Sequence, residues 1–479
     1  MNPTFMIAIP LLTAFLLFVL PKRRWLNTLF ITLVALFTSV YSIAGLFNIE
    51  KSMSFGMGGW PTPFGINLVV DNLSAFFVMV TQLSFLLTIF ALFGWHYAER
   101  YSGALMMTFL AAVNGMILTG DLFNLFVFME IASVSLFALL NLRESSGSLK
   151  ATFNYMVLNA LASSVYLIGI ALVYRATGTL NMADLSQKWG VISEASATTV
   201  FLMLLTPLLL KAEIFPLNLW APRIYGRSSA GITTLLAGMV APAGFYAMIR
   251  LFSLLSSSGT TQNSLLILAV LTMVIGEVVA LTRKSLREML GFSSVAGMGV
   301  LLMAALSNAM EGALFHLFNL ALAKVVMFLS VELLTAGGRD DLESLKGTYK
   351  RNPAMAFVFA SGAFSVAGLP LFAGFRSKLI ILSDMMKAEH YIITAVFIFA
   401  SIVEFFYYTR AVQHIFSSNE EIAGGRQCSH PLSTLVLLAA AIFIIFTGIY
   451  PESVMALAEK AQMALTDVGA YVASVLGGM

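Results

Sequence analysis

The chain has 479 residues; 59% are hydrophobic and only 11% are charged, with 27 Lys and Arg against 24 Asp and Glu for a net charge of +3. Soluble proteins carry about 25% charged residues, so this composition excludes a soluble enzyme, a disordered scaffold and a nucleic-acid binder with a basic domain. It fits an all-α polytopic membrane protein, at about 20 apolar residues per span. Apolar runs between charged or Gly/Pro-marked breaks predict about 14 transmembrane helices, near 3–20, 25–47, 69–93, 103–119, 121–141, 152–175, 198–217, 228–252, 263–282, 291–308, 311–335, 354–384, 391–414 and 432–451. These runs are too long and too uniformly apolar for barrel strands. No basic residue precedes the first run, and Lys22, Arg23 and Arg24 follow it. That order predicts a retained helix with its amino terminus outside, not a cleaved signal. The segment 176–197 is the longest polar interruption and is expected along the surface. Residues 453–477 are small and weakly amphipathic, as in an interfacial or lateral helix. A single cysteine, Cys428, excludes an intramolecular disulfide framework and a Cys-ligated cluster held by this chain alone.

The basic residues orient the spans. With basic residues at the extreme end of a span (Arg175, Arg250 and Arg410) counted in the adjoining loop, odd-to-even connections hold 17 Lys and Arg, the opposite side including both termini holds 6, and Lys211, Lys324, Arg376 and Lys378 fall inside spans. By the positive-inside rule the first side is cytoplasmic and both termini face outward.

Charge inside a span costs about 2.5–3.5 kcal/mol on insertion scales, so each instance is a functional hypothesis. The candidates are Glu130 in span 5, Lys211 and Glu213 in span 7, Glu277 in span 9, His316 and Lys324 in span 11, Lys378 in span 12 and Glu404 in span 13. Lys211 lies between Pro207 and Pro216, and Lys378 follows Pro370 and Gly374. Proline opens the helix ladder, and freed carbonyls are tolerated at membrane depth only within protein or beside water. Two Pro-interrupted, lysine-bearing helices at corresponding places predict two inverted five-helix repeats, spans 4–8 (103–252) and 9–13 (263–414), with helices 7 and 12 broken. Each residue also has a plainer reading. Glu130 could be a structural ion-pair partner, Glu213 could pair with Lys211, and Glu277 and Glu404 could face another subunit. His316 could be a satisfied core histidine. Asp71 and Asp121 stand near span ends, where caps are as expected as relays, and Arg376 could neutralise a helix carboxyl end. Asp121 is roughly 13 Å of helix rise from Glu130, and His316 about 12 Å from Lys324, so neither pair touches directly. No phosphate-binding loop, paired haem ligands or metal-ligand set is present, and no cofactor is expected.

Six phrases in order then carry a resemblance over nearly the whole chain: GGWPTPFGINLVVDNLSAFF, LTGDLFNLFVFMEIASVSLFALL, TGTLNMADL, LLKAEIFPLNLW, FHLFNLALAKVVMFL and GLPLFAGFRSKL. The chain resembles the antiporter-like proton-translocating family. That family comprises the A and D subunits of the Mrp sodium/proton antiporter, the NuoL, NuoM and NuoN subunits of respiratory complex I, and homologues in membrane-bound hydrogenases. The Mrp D-type subunits are the nearest in motif. The resemblance matches the family's span-5 glutamate to Glu130, its span-7 lysine to Lys211, its first span-11 histidine to His316, its span-11 lysine to Lys324 and its span-12 lysine to Lys378. Departures are specific. Pro242, in MVAPAGFYAMIR, stands where a span-8 lysine is expected; Leu320 replaces a second span-11 histidine; Glu213 and Asn218 replace a commoner alanine and histidine. KAEIFPLNLW is closer in form to the hydrogenase-associated members.

The resemblance implies proton translocation through buried Glu, Lys and His groups and water. It places the chain in a hetero-oligomeric complex in a prokaryotic cytoplasmic (inner) membrane, beside homologous antiporter-like and small helical subunits. The ion is H+, with Na+ a second candidate. The drive is either antiport or redox chemistry elsewhere, as in NADH dehydrogenase- or hydrogenase-like assemblies, and the chain is not catalytic alone. Glu130 and Lys211 would be a coupled pair, His316 and Lys324 a central relay, and Lys378 a gate, with Asp121, Glu213, Glu277 and Glu404 as further candidates. Glu277 or a water file through the Pro242 break would stand in for the missing lysine. Two rivals remain: a standalone secondary transporter of a small solute, and a non-conducting structural subunit.

Overall fold

The computed structural model describes residues 1–19, 23–92, 100–142, 146–255, 258–336, 338–417 and 431–477; Lys22 and Cys428 lie outside these. Helices follow the apolar runs: α1 (Thr4–Val19), α2 (Arg24–Phe47), α3 (Asn72–Ala91), α4 (Arg100–Leu118), α5 (Leu122–Asn141), α6 (Ser146–Thr177), α7 (Met182–Lys188), α8 (Glu194–Lys211) and α9 (Ala221–Arg227). Then come α10 (Ala230–Leu235), α11 (Ala241–Leu254), α12 (Gly259–Thr282), α13 (Leu286–Leu306), α14 (Met310–Thr335), α15 (Pro353–Ala367), α16 (Ala373–Lys387), α17 (Tyr391–Phe416), α18 (Pro431–Ile449), α19 (Glu452–Thr466) and α20 (Val468–Leu476). Among the described residues, 12 helices are long and apolar enough to cross a membrane; Thr4–Val19 and Pro353–Ala367 are shorter apolar helices. The chain is an all-helical, multi-pass membrane protein with one small hairpin.

Polar residues start the helices. Asp71 forms a capping box with Ser74 on α3, Asp121 accepts the Asn124 N–H at 2.8 Å on α5, and Asn181, Ser258, Ser285 and Asn352 cap α7, α12, α13 and α15. Pro353 occupies the first position of α15, where its missing N–H costs no intrahelical bond.

The third predicted span begins too early. Residues 69 and 70 belong to β2 (Asn67–Val70), which pairs antiparallel with β1 (Met53–Gly56) in the register Met53↔Val70 to Gly56↔Asn67. Leu68, Val69 and Val70 are all buried, so a buried strand and a helix start look alike as an apolar run. The 176–197 segment is not simply laid on the surface. Leu122 N–H donates to Leu180 O, Met182 N–H to Gly120 O and Gly120 N–H to Asn67 O, which stitch the hairpin, the α4–α5 corner and α7 together.

Helix breaks fall where the prolines and glycines stand. After α8, residues 212–220 are irregular, with Glu213 at φ 59°. The predicted span 354–384 is two helices, α15 and α16, separated at 368–372, with Gly368 at φ 82°. A Cβ on Gly374 would overlap the Ser365 carbonyl oxygen, so only glycine lets α16 start against α15. Pro242 adds an interruption: a π-helical segment, Leu236–Val240, joins α10 to α11. Proline lacks the N–H and crowds the carbonyl four residues back, and a wider turn relieves both.

α14 is buried along nearly its whole length and packs against α3, α10, α13, α15 and α16, forming the axis of the molecule. α19 turns Val454, Leu457, Ala458 and Ala461 inward and packs on α3 and α14. α20 reaches the hairpin, where Thr62 Oγ1 donates to Val475 O at 2.7 Å. A second set of connections meets elsewhere: Ser285 Oγ donates to Asp340 Oδ2 at 2.6 Å, Arg287 pairs with Glu332 at 2.9 Å and Arg410 donates to Arg283 O at 3.2 Å.

Candidate functional site

Charged side chains cannot stay in a low-dielectric interior without partners, and the partners found here define a file across the molecule. On α5, Glu130 Oε1 accepts from Ser163 Oγ at 2.5 Å and from Asn159 Nδ2 at 3.3 Å, both on α6. Lys211, at the end of α8 and 1% exposed, donates to Ser133 Oγ at 2.7 Å and to Asn159 Oδ1 at 3.3 Å. Ser133 in turn donates to Asn159 Oδ1 at 3.2 Å. The Asn159 amide therefore joins the two charges, its NH2 toward the carboxylate and its oxygen toward the ammonium. Helical spacing explains the set: Asn159 and Ser163 lie one turn apart on α6. Glu130 and Lys211 are brought together, but through this bridge and not as a direct ion pair.

Glu213 does not pair with Lys211. It sits in the break after α8, and its Oε1 accepts from Tyr225 OH at 2.6 Å while Oε2 has no partner. Tyr155, buried and stacked on Trp220 with centroids 3.8 Å apart, lies in the field of both Glu130 and Glu213. Lys324 is among the charges that act on Glu213.

Lys324, fully buried on α14, donates to Tyr408 OH at 2.9 Å and to Leu290 O at 3.3 Å; Tyr408 OH pairs with Ser293 Oγ at 2.8 Å. Lys378 on α16 forms an ion pair with Glu404 of α17 at 2.5 Å and also reaches Ala367 O at 3.4 Å, a carbonyl at the carboxyl end of α15. That carbonyl is among those a helix end leaves without an intrahelical partner. Glu277 on α12 is buried, in the field of Glu404, Lys378 and Lys324, with Oε2 unpartnered. Glu277 and Glu404 thus point into this chain, 3% and 5% exposed, and neither faces outward toward another subunit. His316 is not placed against Lys324: its Nδ1 meets Ser377 Oγ at 2.9 Å, beside Lys378.

Asp71 and Asp121 act as helix caps. Asp71 also pairs with Arg250 at 2.5 Å, and the guanidinium lies 4.8 Å from the Tyr471 ring centroid. Sequence reasoning missed Arg250, taking it for a loop charge, and missed Asn159, Ser133, Ser163, Tyr155, Tyr225 and Tyr408. Asn159 and Ser163 stand one turn apart within apolar α6, a spacing too common in membrane helices to mark them by itself. Among the described residues no group of three or more His, Cys, Asp or Glu side chains could hold a metal ion.

Comparison with known proteins decides the family. Residues 119–403, holding the charged groups of the file except Glu404, match the family described as NADH:quinone oxidoreductase/Mrp antiporter, TM. The chain belongs to this family. Within it, the chain is 31% identical to the D subunit of the Na(+)/H(+) antiporter of Alkalihalophilus pseudofirmus, over 88% of its length and 87% of the relative's. It is 29% identical to the corresponding D-type antiporter chain of Bacillus subtilis, covering 98% of both chains. Among solved structures, a chain of an archaeal respiratory complex, the membrane-bound sulfane sulfur reductase, shares 31% identity at a TM-score of 0.90 and covers 99% of both chains. A chain of the Mrp complex from Dietzia sp. shares the fold at a TM-score of 0.92 with 24% identity, covering 99% of both chains. These relatives are subunits of multi-subunit membrane complexes, and the family resemblance seen in the six phrases holds.

Proposed function

We propose that this chain is a proton-translocating, antiporter-like subunit of a hetero-oligomeric membrane complex. The observation that carries the reading is the file from half-buried Glu130 through the buried Asn159 and Lys211, past Glu213 and Lys324, to Glu277, Lys378 and Glu404. A carboxylate that approaches or leaves a buried lysine changes its proton affinity, so a shift at one end is felt along the row. Among the buried atoms lacking protein partners are several on or beside these residues (Tyr155 OH, Glu213 Oε2, Glu277 Oε2 and Tyr407 OH), and such atoms call for water. Where Pro242 replaces a relay lysine, Glu213 links the Lys211 side to Lys324, and Glu277 links Lys324 to the Lys378–Glu404 pair. His316 serves the Lys378 end through Ser377.

The two halves, 103–252 and 263–414, are read as inverted repeats, each with a broken lysine-bearing helix, in a frame of 14 spans. The 453–477 segment is the terminal lateral element. Both termini are read as facing outward, in a prokaryotic cytoplasmic membrane, from the excess of basic residues on the opposite side, and contacts between connections agree on which of them share a face. The hairpin, α7 and α20 touch one another, and the 283–287 corner meets 340–342. Identity to antiporter chains of the D type favours H+ with Na+ as counter-ion; identity to the sulfane sulfur reductase chain favours redox drive. The co-purifying subunits separate the two.

Lys211→Ala and Glu130→Ala are each expected to abolish coupled ion transport while complex abundance stays normal. Normal transport in either variant, in vesicles containing the assembled complex, overturns the proposal. Activity of the isolated polypeptide would favour a standalone transporter.

A further inference from the structure

A recess of about 370 Å³ opens between the span-7 break with α9 and the α12–α13 corner, its inner lining including Gly276 beside Glu277 of the charged file. Its polar wall carries Arg223 and Arg283 against one carboxylate, Glu288. Arg283 lies 3.8 Å from Glu288 with both side chains about two-fifths exposed, and its Nε is buried without a partner. Arg223 is exposed and has no hydrogen bond or ion pair among the described residues. Asn218, only 6% exposed, also lines the recess and has a buried, unpartnered Oδ1. The other wall is apolar. Ile275 lines the recess and lies on the same α12 stripe as Ile267, Leu271 and Val278, which are 60%, 40% and 44% exposed. Positions four, four and three apart share one helix face.

Surplus positive charge at a span end, continuous with an apolar track along a helix, matches a molecule with a phosphate at one end and acyl chains at the other. We propose that this recess binds the headgroup phosphate of an anionic phospholipid, with Arg223 and Arg283 on the phosphate and an acyl chain along the Ile267–Val278 face of α12. A free anion would use the arginines but not the stripe, and a neighbouring protein would have to place an acidic side chain and an apolar surface there together.

The test uses the intact complex in nanodiscs of phosphatidylcholine with a minority of phosphatidylglycerol, counting retained lipids on the released subunit by native mass spectrometry. The wild type is expected to retain phosphatidylglycerol in preference to phosphatidylcholine, and excess inorganic phosphate leaves it bound. Arg223→Gln, at an exposed position that disturbs no buried packing, is expected to weaken retention about fivefold, and Arg223→Gln with Arg283→Gln about 25-fold, at about fivefold per charge removed. Equal retention by wild type and variants, or displacement by inorganic phosphate, overturns the proposal. So does cross-linking of Leu219→Cys, at the rim of the recess, to another subunit in the complex.

Discussion

Asp71 and Arg250 illustrate how a charge can be expensive and still be kept. Both are almost wholly buried, and the pair is completed by the capping box on one side and two tyrosine rings on the other. Removing one member leaves the other charge buried alone, which costs about 3–5 kcal/mol. Asp71→Asn and Arg250→Gln should therefore each lower the midpoint of thermal unfolding sharply. The double variant should recover more than half of the loss, since neither charge is then stranded; a purely additive double would contradict the pairing. At the file itself, Glu213→Gln and Glu277→Gln should each reduce coupled transport with assembly retained, and wild-type rates in Glu277→Gln would remove that residue from the relay. The charges were legible in the sequence because lipid makes them costly, which is why Glu130, Lys211, Lys324 and Lys378 stand out. Their connectors were not. Asn159, Ser133 and Tyr408 are common enough in membrane helices that only their position across a helix interface marks them, and position across an interface is not written along the chain.

At the scale of elements, the breaks were legible where proline or glycine removes a donor or a side chain, as at Pro216 and Gly374. Gly374→Ala forces a methyl onto the Ser365 carbonyl, so α16 must shift away from α15. Overpacking of this kind costs about 1–3 kcal/mol, and the unfolding midpoint should fall. Gly190→Ala, where an added methyl meets nothing within 4 Å, should stay within about 0.5 kcal/mol of wild type. Equal effects of the two substitutions would argue against the close approach. The π-segment before Pro242 was not legible. Proline announces a disturbance of the ladder but leaves open whether a kink, an irregular stretch or a wider turn absorbs it, and tight packing of Leu236–Val240 decides for the turn. The hairpin was hidden for a related reason: a strand buried on both faces has the same apolar pattern as the helix that follows it.

For the whole molecule, the count of basic residues proposes which face is cytoplasmic, and contacts between connections show which of them lie on the same face. With Cys428 replaced by serine, Phe64→Cys in the hairpin should react with an impermeant maleimide from outside intact cells. Arg339→Cys, in the connection after α14, should react only once the membrane is opened. Both positions are exposed, at 87% for Phe64 and 84% for the Arg339 side chain, so reversal of the two results would invert the assigned topology. What composition could not foretell is how the segment after α18 folds back. It is short and only weakly amphipathic, and its packing on α3 and α14 depends on surfaces contributed by residues hundreds of positions earlier.

That return has a consequence for how the protein is made. Tyr471, which covers the Arg250 guanidinium, and Val475, whose carbonyl receives the Thr62 hydroxyl, leave the ribosome long after the groups they cover. The hairpin and the Asp71–Arg250 pair are inserted well before their cover exists. A nascent chain thus holds the Asp71–Arg250 pair without its Tyr471 cover until α20 is made, and a product cut short before α20 leaves that pair open on one side. This helix therefore completes a site whose other members lie hundreds of residues earlier, and a chain ended before it differs from the finished one around Arg250, near its middle.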